Sequence, residues 1–245
     1  TDAASVVVPT DLHRDVAGTL LEKGLHLLVE KPIAASTREA EELVAIASDH
    51  DRVLQVGHIE RFNPVMAYLE EVAAASDLPI MLYNNPIAYG TDLYPEDFQS
   101  LASNPKFVAI KESSADPRRI PDIRRQLGDR YAIFCGVDDL AYECFSMGAV
   151  GWVAGLVVAF PRETVRLYEL MRAERWAEAR TLYEWFLPLL HLDIGPKFVQ
   201  QIKLVEELMG LGSARVRSPR LLLDEDEARK VRELVEQALA NRPVI

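Results

Sequence analysis

The chain has 245 residues, of which 49% are hydrophobic and 8% aromatic, so it is long enough to bury one large core or two smaller ones. Its formal net charge of -11 at pH 7 argues against a nucleic-acid backbone or an anionic membrane surface as a partner. Apolar stretches stay shorter than about 18 residues and no signal peptide opens the chain, so the cytoplasm is the expected location.

Apolar runs alternate with segments of helical period along the first 160 residues. The chain starts abruptly with Thr1, almost at the first run, which suggests that an upstream part is missing. Strands separated by helices indicate a parallel sheet that is covered on each face. The segment between the second and third runs begins with a capping box, Ser36 and Glu39. The predicted strands are Ser5–Pro9, His26–Val29, Val53–Gly57, Pro79–Tyr83, Phe107–Lys111, Tyr131–Gly136 and Val150–Ala154.

After Phe160 the pattern changes to helical periodicity alone. The predicted fold class is therefore α/β, built from parallel βα units and followed by a helical tail. The tail helices are predicted at Arg162–Ala173, Trp176–Leu187, Lys197–Gly210 and Asp226–Asn241.

The strand at "FVAIKESS" ends in a lysine, Lys111. Sites in parallel α/β sheets form at the carboxyl ends of strands. Desolvation penalises the ammonium form there and lowers the pKa of the amine, and a neutral amine can condense with a ketone to an imine. The alternative is a structural lysine whose charge reaches solvent and pairs with Glu112 or Asp138.

Four phrases in order, "LPIMLYNNP", "FVAIKESS", "GDRYAIFCGVDD" and "GAVGWVAG", resemble the last four βα units of the dihydrodipicolinate synthase/N-acetylneuraminate lyase family. The resemblance runs from about Ala73 to the C-terminus and implies half of a (β/α)8 barrel with extra helices. It implies that Lys111 forms the imine with a small keto acid and that Tyr83 shuttles protons. Gly136 and Asn84 are the substrate-binding residues that it suggests.

Within that family, "YNNPIAYG" departs from the synthase pattern, because Ala88 stands where the synthases carry an arginine. The phrases "YNNPIAYGTDL" and "PLLHLDIGPKFVQQIK" are most similar to the branch that contains 1-pyrroline-4-hydroxy-2-carboxylate deaminase. A cyclic imine acid is then the expected substrate, with water eliminated and ammonia released.

The first 70 residues resemble another family, the Gfo/Idh/MocA oxidoreductases, through "EKP" and "GHIERFNP". The resemblance implies a Rossmann-like half in which Lys31 lies near a nicotinamide cofactor. Lys31 as a solvated charge at a strand end is the alternative. The twelve glycines contain no G-x-G-x-x-G, so NAD(P) is expected only under the oxidoreductase alternative and no cofactor otherwise.

The chain therefore resembles a chimera joined near Met66–Val72, with predicted domains at residues 1–70, 71–160 and 161–245. The lyase part lacks the early Thr/Ser pair that anchors a keto-acid carboxylate in its family, so impaired activity is expected. Three strands plus four make seven, one short of a closed barrel, and an unpaired sheet edge favours a homo-oligomer.

Three function classes remain open: a Schiff-base lyase or deaminase, an NAD(P)-dependent sugar oxidoreductase, and a scaffold without catalysis. Cys135 and Cys144 are expected to be free, buried thiols. The histidines and cysteines have no metal-ligand spacing, so no metal site is predicted.

Overall fold

The structure is a computed structural model, and it describes residues 2–56, 64–153 and 155–245. The chain divides after Ala75 into two compact units. The division of the chain at residues 70 and 160 into three domains stays a prediction. The oxidoreductase-like phrase at residues 57–63 lies outside the described residues.

The first unit contains a three-stranded parallel sheet in the order β1-β2-β3. Strand β2 has its predicted bounds, whereas β1 begins two residues before the predicted Ser5 and ends at Val6. Strand β3 begins one residue after the predicted Val53, and Gly57 lies outside the described residues. The elements are β1 (Ala3–Val6), α1 (His13–Glu22), β2 (His26–Val29), α2 (Thr37–Asp49), β3 (Leu54–Val56) and α3 (Pro64–Ala75).

One face of this sheet carries the core of the first unit. Val6 and Val29 pack with Leu21 of α1 and Leu43 of α2 in a single apolar cluster. The other face places Ser5, Leu28 and Gln55 side by side in register, and all three side chains are exposed. The expectation of helices on both faces was wrong for this unit, because α1 and α2 pack on the same face.

Helix α2 begins with half of the predicted capping box. The Ser36 hydroxyl accepts the backbone N–H of Glu39 at 3.3 Å, as expected. The Glu39 carboxylate instead accepts the N–H of Ala35 at 3.1 Å, one residue before the cap. The cap still satisfies one of the free N–H groups at the helix start.

The second unit contains a four-stranded parallel sheet in the order β4-β5-β6-β7. All four strands begin and end within about two residues of their predicted bounds. Strand β7 has only two residues, and Ala154 lies outside the described residues. The elements are β4 (Ile80–Asn84), α4 (Pro86–Tyr89), α5 (Pro95–Leu101), β5 (Phe107–Glu112), α6 (Arg119–Leu127), β6 (Ala132–Cys135), α7 (Ala141–Ser146) and β7 (Gly151–Trp152).

Four helices follow the sheet: α8 (Pro161–Arg172), α9 (Trp176–Leu190), α10 (Phe198–Leu208) and α11 (Glu225–Ala240). Their buried sides are apolar at helical spacing, as Leu182, Phe186 and Leu189 of α9 illustrate. The predicted α/β class with parallel βα units and a helical tail is confirmed. Cys135 and Cys144 are free and buried, as expected.

Candidate active site

Neighbouring strands of the second sheet place four residues in one row across a single face. Tyr83, Lys111, Phe134 and Gly151 are register partners on β4, β5, β6 and β7. The row lies near the carboxyl ends of all four strands, where ligand sites form in parallel α/β sheets. Lys111, which is half-buried, therefore lies in register between two aromatic residues at a potential binding edge.

Lys111 and Tyr83 are brought together by this register. The Nζ atom of Lys111 lies 4.1 Å from the centre of the Tyr83 ring. A cation above an aromatic face is attracted by the negative ring surface. The Tyr83 hydroxyl group is attached to the same ring, so a group that can move a proton lies close to a potential nucleophile.

Gly136 lies directly beneath the Lys111 side chain. A Cβ atom added to Gly136 would lie 2.8 Å from both Cγ and Cε of Lys111 and 2.0 Å from Oγ of Ser113. The Gly136 N–H donates to the Glu112 carbonyl at 2.9 Å, and the Gly136 carbonyl accepts the Ser113 hydroxyl at 3.0 Å. The glycine thus leaves the space through which the lysine reaches the end of the sheet.

Asn85 is a site residue that the sequence analysis did not select. Its Nδ2 donates to the Tyr83 hydroxyl at 2.8 Å, while its Oδ1 accepts the N–H of Ala88 at 3.0 Å and caps α4. The side chain therefore connects the start of a helix to the phenol oxygen. The signal available in the sequence was Asn85 followed by Pro86, which is typical of a helix N-cap with proline at N1.

Asn84, the neighbouring residue, points to the opposite face of the sheet and is buried. Its Nδ2 lies 3.1 Å from acceptors on Asp92, Leu93 and Glu112, and its Oδ1 accepts the Leu93 N–H at 2.9 Å. These bonds hold the segment after α4 against the strand end. Direct substrate binding by Asn84 stays a prediction, and its side chain faces away from Lys111.

Glu112 also belongs to the opposite face, because successive side chains of a strand alternate. Its carboxylate accepts the N–H of Ser114 at 2.7 Å and the Asn84 amide at 3.1 Å. Burial raises the pKa of Glu112 above its usual value, and hydrogen bonds from Ser114 and Asn84 oppose that change. The alternative in which Glu112 pairs with Lys111 is therefore wrong.

Two carboxylates lie at the same end of the sheet as Lys111. Asp138 is fully buried and accepts the N–H groups of Gly155 at 3.2 Å and Leu156 at 2.7 Å. A Cβ atom on Gly155 would lie 2.3 Å from Oδ1 of Asp193, so this second carboxylate packs directly against the same glycine. Both acids therefore contact one backbone position.

The environment raises the pKa of both carboxylates. Burial, followed by the charge of Asp193, raises the pKa of Asp138 to about 7. Burial raises the pKa of Asp193 to about 6, and the positive charge of Lys111 opposes that rise. Asp193 lies in the short break between α9 and α10, in "HLDIGPK". Asp193 was missed because the sequence showed only a polar break between two helices.

Lys31 lies in the first unit, just after β2, and its side chain is exposed. The segment that joins β1 to α1 is "VVPTDL", which contains no glycine, and α1 has Asp15 in its first turn. A dinucleotide pyrophosphate needs a close approach to backbone N–H groups and is repelled by an acidic first turn. This segment therefore does not fit the pyrophosphate of a bound dinucleotide.

Neither a metal cluster nor a membrane span is found in the part of the chain that the structure describes. In residues 2–56, 64–153 and 155–245, no group of three or more His, Cys, Asp or Glu side chains could hold a metal ion. None of the helices in these ranges is both long enough and apolar enough to cross a membrane.

Two families match adjacent parts of the sequence. Residues 60–238 match the dihydrodipicolinate synthetase family, and residues 1–58 match the oxidoreductase family with an NAD-binding Rossmann fold. The two resemblances expected from the sequence are confirmed.

Similar proteins point to the first of these families. A 4-hydroxy-tetrahydrodipicolinate synthase from Exiguobacterium sibiricum is 31% identical over 203 residues, or 82% of this chain. The match spans 65% of that synthase and 53% of a second one from another Exiguobacterium strain.

Solved structures show the same fold. Dihydrodipicolinate synthase from Aquifex aeolicus has a TM-score of 0.68 and 22% identity, and the match covers 100% of this chain and 88% of that one. The chloride-inhibited synthase from Acinetobacter baumannii, complexed with pyruvate, has a TM-score of 0.66 and 24% identity, with 95% and 82% covered.

Proposed function

The chain belongs to the dihydrodipicolinate synthetase family, and we propose that it is a lyase in which Lys111 forms a Schiff base with a small keto acid or cyclic imine acid. The observation that carries the proposal is the placement of the Lys111 amine 4.1 Å from the Tyr83 ring, above Gly136. A pyruvate complex of a synthase with the same fold agrees with this substrate class.

The proposed chemistry starts with attack of the Lys111 nitrogen on the carbonyl carbon. The carbonyl oxygen leaves as water and a C=N bond forms, so the positive charge stays on nitrogen. Tyr83 then moves the proton that is lost from the neighbouring carbon and returned to it. Asn85 holds the Tyr83 hydroxyl through its amide.

The finer substrate that we propose is a hydroxylated cyclic imine acid, as in the deaminase branch. Ala88 lies exposed on α4, at the position where the synthases carry an arginine for a carboxylate of their second substrate. In this reaction Lys111 adds to the ring carbon of the C=N bond, the bond from that carbon to the ring nitrogen breaks, and the hydroxyl group leaves as water with a proton from the neighbouring carbon. Two further water molecules hydrolyse the C=N bond to the former ring nitrogen and the C=N bond to Lys111, which releases ammonia, a dioxo acid and the free lysine. A small methyl group at Ala88 suits a substrate without that second carboxylate.

Slow turnover is part of the proposal. The family's carboxylate anchor belongs to its early barrel strands, whereas residues 1–58 match another family. An unanchored substrate samples many orientations, and poor positioning costs orders of magnitude in rate. The oxidoreductase alternative rests on that same match, and the segment after β1 does not fit a dinucleotide.

Borohydride trapping with pyruvate tests the proposal. Mass spectrometry after reduction should show an adduct on the peptide that contains Lys111, and Lys111→Ala should abolish it. Lys230→Ala is the matched control, because Lys230 is an exposed lysine of α11. Deamination of a hydroxy-pyrroline-carboxylate should be slower than about 1 s⁻¹.

An adduct of equal yield in Lys111→Ala would exclude Lys111 as the Schiff-base residue. A rate above that limit would contradict the proposal of slow turnover, while leaving the Schiff-base chemistry in place.

A further inference from the structure

Tyr89, which has no part in the chemistry proposed so far, packs against the ring of Tyr83. The centres of the two rings lie 5.8 Å apart and their planes make an angle of 82°, which is an edge-to-face pair. Aromatic rings prefer this arrangement, because the positive edge of one ring meets the negative face of the other. The Nζ atom of Lys111 lies 4.1 Å from the centre of the same Tyr83 ring. Tyr83 is therefore in contact with both the amine and Tyr89.

The single turn of α4 explains why Tyr89 reaches Tyr83. Asn85 caps this helix and its carbonyl accepts the N–H of Tyr89 at 3.0 Å, so one helical turn separates the two residues. Residues four apart lie on the same side of a helix. Gly90 follows with a φ of 72°, in the left-handed region, and ends the helix directly after Tyr89. Asn85 and Tyr89 thus contact Tyr83 from the two ends of one short element.

The two contacts fix different degrees of freedom of the Tyr83 side chain. The phenol oxygen lies on the axis about which the ring turns. The Asn85 amide, which donates to this oxygen at 2.8 Å, therefore holds the axis but not the plane of the ring. A neighbouring ring at 82° opposes rotation about the axis, because rotation would destroy the edge-to-face geometry. Tyr89 thus holds the plane that the Asn85 amide leaves free.

The plane of the ring decides in which direction Tyr83 can move a proton. The O–H bond of a phenol is conjugated with the ring and prefers to lie in its plane. A proton is transferred efficiently only along a short and well-aligned hydrogen bond. Tyr83 is 45% exposed, so contacts with individual neighbours, rather than enclosure in the core, must hold its ring. A freely turning ring would direct its hydroxyl away from the reacting carbon for part of the time.

We infer that Tyr89 is a positioning residue that orients the Tyr83 hydroxyl for proton transfer beside the Schiff base. This inference rests on the proposed function, since the proton is moved to and from the carbon next to the imine. The ring of Tyr89 acts through Tyr83, and the Tyr89 hydroxyl is not required. Removal of the Tyr89 ring should slow the proton step and leave the attack by Lys111 unchanged.

Two rates measured with pyruvate separate these steps. Exchange of the methyl protons with D2O, followed by NMR, measures the proton step, and formation of the borohydride-trapped adduct on Lys111 measures the imine step. Tyr89→Ala should slow the exchange by about three- to tenfold, the factor that corresponds to the loss of one aromatic pair. Imine formation should keep the wild-type rate. Tyr89→Phe retains the ring and should exchange at the wild-type rate.

The matched control is Ile87→Ala, because Ile87 also belongs to α4 and is 75% exposed. It should leave both rates unchanged. A double variant tests whether Tyr89 acts through Tyr83. Once Tyr83→Phe has removed the hydroxyl, the addition of Tyr89→Ala should slow the exchange no further, because two residues that act as one unit are not additive.

The two proposals fail in different ways. If wild-type Lys111 gives no adduct with pyruvate, the proposed function fails, and the role of Tyr89 fails with it. If the adduct forms, exchange at the wild-type rate in Tyr89→Ala would overturn the role of Tyr89 alone. Equal slowing in Tyr89→Phe and Tyr89→Ala would also overturn it, as would equal slowing of imine formation and exchange in Tyr89→Ala. Further slowing by Tyr89→Ala in the Tyr83→Phe background would exclude an action through the Tyr83 hydroxyl.

Discussion

At the scale of single residues, the position of Lys111 depends on the missing side chain of Gly136. The lysine has a long, flexible stem, and a strand-end lysine normally turns its charge into solvent. Here the stem lies along the glycine, since Cγ and Cε are both 2.8 Å from the place of an added Cβ. The amine is directed to the Tyr83 ring as a result.

Gly136→Ala should displace Lys111 and slow imine formation with pyruvate by at least about tenfold, since an error of about 1 Å in placement can cost about a hundredfold. The rate of borohydride-trapped adduct formation is the measurement. Gly195→Ala is the matched control, because a Cβ there meets nothing within 4 Å.

A second variant separates displacement of the lysine from strain. Ser113→Ala combined with Gly136→Ala removes the 2.0 Å contact with Oγ but keeps the contacts with Lys111. The double variant should be more thermally stable than Gly136→Ala alone, because the clash with the serine oxygen is gone. It should still form the imine slowly, because the clash with Lys111 remains. Recovery of the wild-type rate would show that the lysine is not what the glycine accommodates.

At the scale of elements, β4 and β5 divide their end residues between two faces. Tyr83 and Lys111 point to one face, while Asn84 and Glu112 point to the other and fix the segment near Asp92. Arg119 of α6 completes this second network with an ion pair to Asp92 at 2.7 Å. The two residues of the proposed Schiff-base reaction and the hydrogen bonds that fix the neighbouring segment thus lie on opposite faces of the same two strands.

Asn85, the N-cap of α4, contacts the Tyr83 hydroxyl on the same face as Lys111. Asn85→Asp keeps the oxygen that caps α4 but loses the N–H donor to Tyr83. We expect a normal fold and normal imine formation, with proton removal from the pyruvate methyl group slowed by about tenfold. Exchange of these protons with D2O, followed by NMR, is the measurement.

Tyr83→Phe, which removes the hydroxyl itself, should slow the exchange at least as much. Exchange at the wild-type rate in Asn85→Asp would show that the amide does not position the phenol.

At the scale of the whole molecule, the chain unites parts that match two families. Its second unit contains two acids that pack on Gly155, the fully buried Asp138 and the half-buried Asp193. Folding buries Asp138 fully and Asp193 in part, which raises their pKa values to about 7 and about 6. The folded chain then binds protons more tightly than the unfolded chain does. Self-association through sheet edges stays a prediction at this scale.

The pair should make thermal stability depend on pH. Its contribution to stability is fully present below the pKa values of the unfolded chain and is lost as the pH rises through about 6 and about 7. The Tm of the wild type should therefore fall as the pH rises from about 5 to about 8. In Asp193→Asn this fall should be smaller by a few degrees. Differential scanning calorimetry at several pH values measures this.

Asp226→Asn should leave the slope of Tm against pH as in the wild type, because that carboxylate is exposed. An unchanged slope in Asp193→Asn would mean that burial does not alter the titration of Asp193.

The sequence by itself determined the fold class, the seven strands found in the described residues and the two family resemblances. Apolar runs and helical periodicity are local patterns, and a parallel sheet follows from their alternation. Lys111 could be noticed because it ends an apolar run at the carboxyl edge of a parallel sheet. The selection of Tyr83 rested on the resemblance to the lyase family.

Only the tertiary structure decided which side chains share a face and which distant residues meet. Asn85 rather than Asn84 contacts Tyr83, because a difference of one residue reverses the side of a strand. Asp193 packs on Gly155 from a break between two helices. No local pattern encodes that contact, since it depends on how the tail helices pack after the sheet has formed.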